Sequence, residues 1–363
     1  MLLNKTSYCN IPKSIEEKLG KNLHNKPNHP LEIIKRHIYS YFNSQDKYKF
    51  HMFDNLNPVV SVEDNFDKLL IPKDHSARSK SDTYYVNENQ VLRTHTSAHQ
   101  NELLSQCYTS FLICGDVYRK DEIDARHYPV FHQMELFTLI DEKDGPILGL
   151  KRMLAGLVEY LFPGCDYRFN VDYFPFTDPS YEIEVKFNDQ WLEILGCGVV
   201  QPKILENNGI VGKQAVAAGF GIDRLAMILF NIPDIRYFWV EDNKFLSQFD
   251  KGIDSVFKLY CPFDEMDRDI SFWIPTDQLE NEKWLIENNF FELIRDNSND
   301  MIKNVVLFDK FYHSKKQKHS RAYRISYTPV DPKLKDPGQF TIIVNDIHRK
   351  LGELVVQLNL ELR

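Results

Sequence analysis

Between Gly115 and Leu136 the chain reads GDVYRKDEIDARHYPVFHQMEL, gathering two arginines, two histidines, a glutamine, five acids and three aromatics. The guanidinium groups of Arg119 and Arg126 and the imidazole of His127 are the donors that a phosphate chain needs, because a planar fork matches phosphate oxygens in pairs. Phe131 offers a ring on which a base can stack. Apolar runs flank the charged segment KDEIDARH on both sides, so it is expected to be the long loop of an antiparallel hairpin. On the return strand the two-residue period places Phe131, Gln133 and Glu135 on one face, with His132 and Met134 on the other. An aromatic, an amide and a carboxylate make a poor core face. They make a good pocket wall, since a polar ligand supplies the partners that buried polar groups require.

Four further constellations carry chemistry. In RTHTSAHQ (Arg93 to Gln100), imidazoles, an amide and hydroxyls gather at a strand-to-helix junction, suited to the ends of a zwitterion; the plain alternative is an N-cap with solvated neighbours. In DYFPF, Phe174 and Phe176 share a face, either as a core pair or as a slot for an apolar side chain. In WLEILGCGVV, Glu193 lies in an apolar strand, and a buried carboxylate needs a cation or Mg2+. In AVAAGFGIDRLAM, Gly219 and Gly221 permit close backbone approach and Arg224 opens an apolar helix. A buried arginine there must meet Asp223, Glu193 or a ligand phosphate. The glycine pair lacks the GK[ST] of a phosphate loop.

These groups need a scaffold. At 363 residues the chain suggests two domains. Residues 1–25 read as an arm with a short helix from Lys13 to Leu19. Pro30 then starts a helix through Leu31, Ile34, Ile38 and Phe42. After a loop-rich stretch with the polar DHSARSKSD, a strand pair leads to Thr96 or Ser97 as the N-cap of a helix reaching Tyr108. A helix from Leu148 to Leu161 follows the hairpin. Three strand-like segments come next, the first two separated by Thr177-Asp-Pro-Ser and the next pair by the turn Asn188-Asp189. Antiparallel strands with helices around them imply an α+β catalytic domain over 26–250. Residues 251–267 read as a linker. The segment 268–363 runs β-α-β-β-α-β, the ferredoxin-like split motif.

The net charge of −8 excludes a general polyanion binder, so any nucleic acid must meet a local basic patch. Residues 268–363 hold 15 basic and 14 acidic side chains, leaving 29 and 38 for the rest. In that segment Lys315, Lys316, Lys318, Arg321 and Arg324 form a run free of acids, interleaved with Tyr312, His313, His319 and Tyr323. Such a mixture suits single-stranded RNA, charge to phosphate and ring to base. Six scattered cysteines without a CxxC pair fit a reducing compartment and no zinc site. No apolar run is long enough to span a bilayer, and the first ten residues are too short and weakly basic to read as a transit peptide.

Taken together, the five motifs resemble the class II aminoacyl-tRNA synthetases, and within them the single-chain organellar phenylalanyl-tRNA synthetases. GDVYRKDEIDARHYPVFHQME is similar to that family's motif 2 and GFGIDRLAMILF to its motif 3, while THTSAHQ, DYFPF and LEILGCG follow in the family's order. The resemblance covers about residues 10–363. It implies a class II antiparallel sheet flanked by helices, a ferredoxin-like anticodon-binding domain, and ligation of phenylalanine to tRNA(Phe) with ATP and Mg2+. It assigns Arg119 and Arg224 to catalysis at the phosphates, and Asp121, Arg126, His127, Tyr128, Phe131, Glu193 and Ala218 to ATP, with Glu193 also toward Mg2+. His95, Ser97, Ala98, His99, Gln100, Gln133, Glu135, Phe174, Phe176 and Ala217 are assigned to phenylalanine, and the basic run to tRNA. A monomer in the mitochondrial matrix is implied in the same way.

The chain departs from the family at Ala218, where an aromatic is usual, at Asp223 in place of glutamate, at Leu136 in place of a bacterial glycine, and in a short segment from Asp141 to Leu148. An apolar pocket of Phe174, Phe176 and Ala217 is expected to reject an added hydroxyl by only about a hundredfold, with no room for an editing domain. Two rival readings are a non-catalytic RNA-binding paralogue and a ligase of the same fold for another acid.

Overall fold

Pro30 opens helix α1 (Pro30–Asn43), its missing N–H falling where a helix has no partner to offer, and Leu31, Ile34, Ile38 and Phe42 are buried along one side. In the computed structural model, which describes every residue except 1, 2, 4, 46, 142–144, 260–262 and 332, α1 lies behind a seven-stranded sheet. Its strands are β1 (His51–Phe53), β2 (Ser110–Tyr118), β3 (Val130–Ile140), β4 (Tyr167–Phe174), β5 (Thr177–Phe187), β6 (Gln190–Val200) and β7 (Gln214–Gly221). They lie in the order β1-β2-β3-β7-β6-β5-β4, with only the β1–β2 pair parallel. Helices α2 (Pro146–Leu161) and α3 (Ile222–Phe230) join α1 on the same side.

Alternation sorts the sheet into two faces. Leu112, Cys114, Met134, Leu136, Val216 and Phe220 pack toward the helices. Phe111, Ile113, Phe137, Ala215 and Ala217 point the other way, where Phe66, Leu69, Ile71 and Ile204 cover part of the sheet. Phe111 and Phe137 are directly paired across β2 and β3, their rings stacked at 4.9 Å. The turn at Asn188 and Asp189 has φ of 49° and 59°, both left-handed, which is what a two-residue hairpin between twisted strands requires.

Two local expectations shift. Thr96 and Ser97 cap no helix: they lie inside a 3-10 turn (Thr96–His99), and only Gln100–Ser105 is α-helical before Cys107 takes φ of 67° and ends it. Thr177 is not in a turn but opens β5, because its hydroxyl bonds Ser180 and the reversal falls at Pro175-Phe176.

The C-terminal sheet consists of β8 (Met266–Ile274), β9 (Ile302–His313), β10 (Lys318–Tyr327) and β11 (Glu361–Leu362), in the order β9-β10-β8-β11, all antiparallel. Helices α4 (Glu287–Asp296) and α5 (Pro337–Leu354) cover one face over Phe272, Tyr323 and Ile325, giving the β-α-β-β-α-β order read from the sequence. A hairpin at Leu279–Trp284 is inserted after β8. Within the expected linker, Phe257 is buried in the catalytic core and Met266 already belongs to β8, while Cys261 lies outside the described residues. The middle of the short segment from Asp141 to Leu148 lies outside them too.

The two parts meet at the β2–β3 loop. Ile123 enters the C-terminal core, Lys120 pairs with Glu292 of α4 at 2.7 Å, and Tyr128 donates to Asp300 at 2.7 Å. The N-terminal arm crosses the junction, with Ser14 bonding Asp296 and Lys18 3.6 Å from Asp300.

Candidate active site

The uncovered part of the sheet forms the floor of a cleft of about 760 Å³. Alternation along β3 delivers Phe131, Gln133 and Glu135 to it, while Met134 and His132 are buried behind. Glu135 is only 2% exposed, and burial pushes its carboxyl up to about 7 although Ser97, Gln100 and Thr96 donate to it. Ser97 is therefore spent on an acceptor across the cleft instead of on a helix end. His95 lines the same wall; burial and the neighbouring Arg119 hold its imidazole neutral, pushed down to about 3. Neither of its ring nitrogens has a hydrogen-bond partner among the described residues.

Phe174 and Phe176 stack 5.8 Å apart at an interplanar angle of 11°, and Phe176 lies 6.3 Å from the His95 ring. Gly196 supports Phe174 from below: a Cβ there would stand 2.8 Å from its Cζ. Ala217 completes the floor. The product is a flat apolar slot that ends at a buried carboxylate.

At the other end the guanidinium of Arg119 lies over the Phe131 ring, 5.3 Å from its centroid, while its Nε donates to the carbonyl of Thr94 at 2.7 Å. Burial lowers the Arg119 pKa from its usual value and Asp121 partly offsets that. Opposite, Arg224 reaches Glu193 at 3.3 Å. Glu193 was expected to be buried, but its side chain is 50% exposed and that of Arg224 41%, because the bulge between Ile183 and Glu184 tips Glu193 to the cleft edge. Asp223 does not meet Arg224. It is buried and accepts the backbone N–H of His132 at 2.6 Å, tying α3 to the strand between Phe131 and Gln133. Asp121, Arg126 and His127 form the rim.

Several assigned residues sit elsewhere. Ala98 is in the core, and His99 points away from the cleft to Arg93 and Glu102. Arg93 is itself structural: fully buried, it bonds Asp116 at 2.7 Å and crosses β2 where Gly115 leaves room, since a Cβ there would fall 2.1 Å from its Nη2. Gln100 acts through Glu135, not on the cleft wall. The Tyr128 hydroxyl goes to the domain junction, although the residue borders the cleft. The Ala218 side chain joins the helix-side core beside Phe220, two residues along the same face, although the residue borders the cleft.

Sequence reasoning missed one wall. His75, Ser76 and Asp82 of the polar loop before β2 line the cleft, and Arg78 anchors that loop to Asp67 and the carbonyls of Ile71 and Pro72. No periodicity marks this stretch. Asn288 of α4 also reaches the cleft and bonds Asp82 at 3.2 Å.

On the C-terminal sheet the basic run divides. Lys315 and Lys316 occupy the exposed β9–β10 turn, with Lys316 5.7 Å over Trp273. Lys318 pairs with Glu361, and Arg324 pairs with Asp269 at 2.9 Å on the open face. Arg321 belongs to the other face. It is 5% exposed and bonded to Glu287 at 2.8 Å, since β10 sends Arg321, Tyr323 and Ile325 toward the helices. The open face carries Trp273 and Phe311 with Arg363 over both, 5.4 and 4.7 Å from the centroids.

Residues 14–249 match the family of tRNA synthetases class II core domain (F). The chain is 45% identical to the chloroplastic/mitochondrial phenylalanine–tRNA ligase of Arabidopsis thaliana, over 98% of this chain and 82% of that one. It is 38% identical to the mitochondrial phenylalanine–tRNA ligase of Mus musculus, covering 97% and 85%, and 34% identical to that of Saccharomyces cerevisiae, covering 98% and 92%.

Proposed function

We propose, for a chain that belongs to the class II tRNA synthetases and within them to the phenylalanine–tRNA ligases, that it activates L-phenylalanine with ATP and transfers it to tRNA(Phe) in the cleft on β3. One observation carries the reading: a single cleft joins the aromatic slot over Gly196, the buried acceptor Glu135 and the ring-and-guanidinium wall of Phe131 and Arg119. Ring, ammonium and adenosine phosphate each find a complementary group there.

In the first step a carboxylate oxygen of phenylalanine attacks the α-phosphorus of ATP, and the bond to pyrophosphate breaks as the new one forms. No proton moves, so the protein acts by positioning and by stabilising charge. Glu135, Gln133 and Ser97 hold the ammonium, Phe174 and Phe176 the ring, and Phe131 the adenine. Arg119 faces the α-phosphate; Arg224, Arg126 and His127 face the leaving pyrophosphate. Mg2+ bound to the phosphates would neutralise their charge, and Glu193, half-exposed and only loosely held by Arg224, is the carboxylate that fits it. In the second step a hydroxyl of the terminal ribose of tRNA attacks the acyl carbon, its proton passes to a phosphate oxygen of the adenylate, and AMP leaves as the acyl–phosphate bond breaks. The open face around Trp273, Phe311, Lys315, Lys316, Arg324 and Arg363 is suited to unstacked bases of the tRNA, without Arg321.

Relatives named mitochondrial, and one named chloroplastic/mitochondrial, support a mitochondrial location, and we propose the matrix and a monomer. No described helix is long and apolar enough to cross a membrane. The test is amino-acid-dependent exchange of pyrophosphate into ATP, run with each amino acid. Exchange dominated by phenylalanine is expected. Exchange with a different acid, or none while tRNA still binds, would replace this reading by one of its two rivals.

A further inference from the structure

The β2–β3 loop brings Arg126 and His127 to the cleft, but Asp124 between them and the strand turns back from it. Its Oδ1 accepts the backbone N–H of Arg126 at 2.6 Å and of His127 at 2.7 Å, and its Oδ2 lies 2.8 Å from His127 Nδ1. One carboxylate thus fixes the backbone of both cleft residues and the ring of the second, as aspartates do in tight loops.

We propose that Asp124 is the positioning residue that presents His127 as a cation to the phosphate chain of ATP, an inference that rests on reading His127 as an ATP-contacting group. With Nδ1 held by Asp124, Nε2 is the nitrogen left to donate to a phosphate oxygen. The groups around the ring favour its charge. Glu122 Oε1 stands 3.6 Å from Nδ1 and Asp121 lies on the same loop. Two cations pack against the loop: Arg295 of α4 donates to its carbonyls at Asp121 and Glu122, and Arg236 is paired with Asp234. Asp300 is taken up by Tyr128 and Lys18. The hydrogen bond that His127 donates to Asp124 outweighs partial burial and raises the His127 pKa. Asp124, which partial burial alone would raise, is brought down to about 2 by His127 and the two backbone donors. Glu122, Asp124 and His127 also lie close enough together to suggest a metal site among the described residues. Asp124 already accepts the two backbone N–H groups and His127 Nδ1 at 2.8 Å, so these two read as an ion pair with Glu122 beside it.

A histidine with a raised pKa is cationic below that value and loses its charge as pH rises through it. The Michaelis constant for ATP in phenylalanine-dependent pyrophosphate exchange is therefore measured from pH 6 to 9 with the full chain, Asp124→Asn and His127→Gln. Asparagine keeps an oxygen for the backbone donors and loses the charge. The wild type should show KM for ATP rising through the His127 titration. In Asp124→Asn that rise should move to lower pH, with KM for ATP roughly tenfold higher near neutrality and KM for phenylalanine unchanged. His127→Gln should show no such rise. If Asp124→Asn keeps the wild-type profile while His127→Gln flattens it, the proposal is overturned and the role of His127 stands. If the wild-type profile survives in His127→Gln, the reading of His127 itself fails. Equal losses for both substrates in Asp124→Asn would mean simple collapse of the loop and would also overturn the proposal.

Discussion

Replacing Glu135 by glutamine should stabilise the folded chain above neutral pH while removing its grip on the amino acid. The carboxyl is buried and pushed up to about 7, against an ordinary value of 4.5 in an exposed chain. Between these values the folded state keeps a proton that the unfolded state has lost, so stability falls as pH rises across that window. The stabilising contribution is fully present below about 4.5 and gone above about 7. A gap of about 2.5 between the two values, at about 1.36 kcal/mol each, amounts to about 3 kcal/mol. Glutamine cannot ionise, so the unfolding free energy of Glu135→Gln relative to wild type should be near zero below about pH 4.5, about 1 kcal/mol at pH 5, and grow toward about 3 kcal/mol by pH 8. Urea unfolding followed by tryptophan fluorescence at several pH values reads this difference. Phenylalanine brings an ammonium to the same carboxylate, so binding near pH 7 should release a proton. Calorimetry in two buffers of different ionisation heat should detect it in the wild type only. Stability curves for the two proteins that run parallel from pH 5 to 8 would refute the reasoning.

Gly196→Ala puts a methyl group 2.8 Å from Phe174 Cζ, so the ring must move; KM for phenylalanine should rise on the order of tenfold with KM for ATP unchanged. Gly115→Ala drives a Cβ into the Arg93 guanidinium and should break its buried pair with Asp116, lowering unfolding free energy by roughly 3 kcal/mol or more in a melting experiment. Lys315→Gln with Lys316→Gln should weaken tRNA binding and flatten its salt dependence by about 0.7 per lysine, leaving pyrophosphate exchange intact. Arg321→Gln should instead lower the melting temperature and leave that salt slope alone. Ala218→Phe should destabilise by about 1–3 kcal/mol through overpacking, and Phe220→Leu should relieve part of it, so a double-mutant cycle must be non-additive with KM for ATP unmoved.

The hairpin, the three outward residues of β3 and the β-α-β-β-α-β order were legible because each rests on a two-residue or a helical period. The parallel strand at His51–Phe53 was not, since three residues carry no period and its pairing with Phe111 to Ile113 spans a long loop. The wall at His75 to Asp82 was illegible for a related reason. Its place is set by Arg78 bonding carbonyls of Ile71 and Pro72, and backbone acceptors leave no trace in side-chain pattern. The exposure of Glu193 depended on a bulge, one extra residue that reverses the parity counted from either end of the strand.

Motif membership also overstates the site, because polar neighbours of the cleft residues are bonded behind it. RTHTSAHQ contributes Thr94, His95, Thr96 and Ser97 to the cleft, while Arg93 and His99 bond each other at 2.9 Å behind it, with Asp116 completing the charge balance. In GFGIDRLAM, Arg224 faces the cleft and its neighbour Asp223 is buried against His132. In the basic run, Arg324 and Arg321 leave β10 on opposite faces. In each case one residue meets the ligand side while a polar neighbour is bonded into the interior. A buried polar residue of that kind is expensive unless fully bonded, so its substitution costs stability before it costs chemistry. Loss of folding on mutating Arg93 or Asp223 therefore carries no information on catalysis, whereas a change in KM at constant melting temperature, as expected for Gln133→Ala, does.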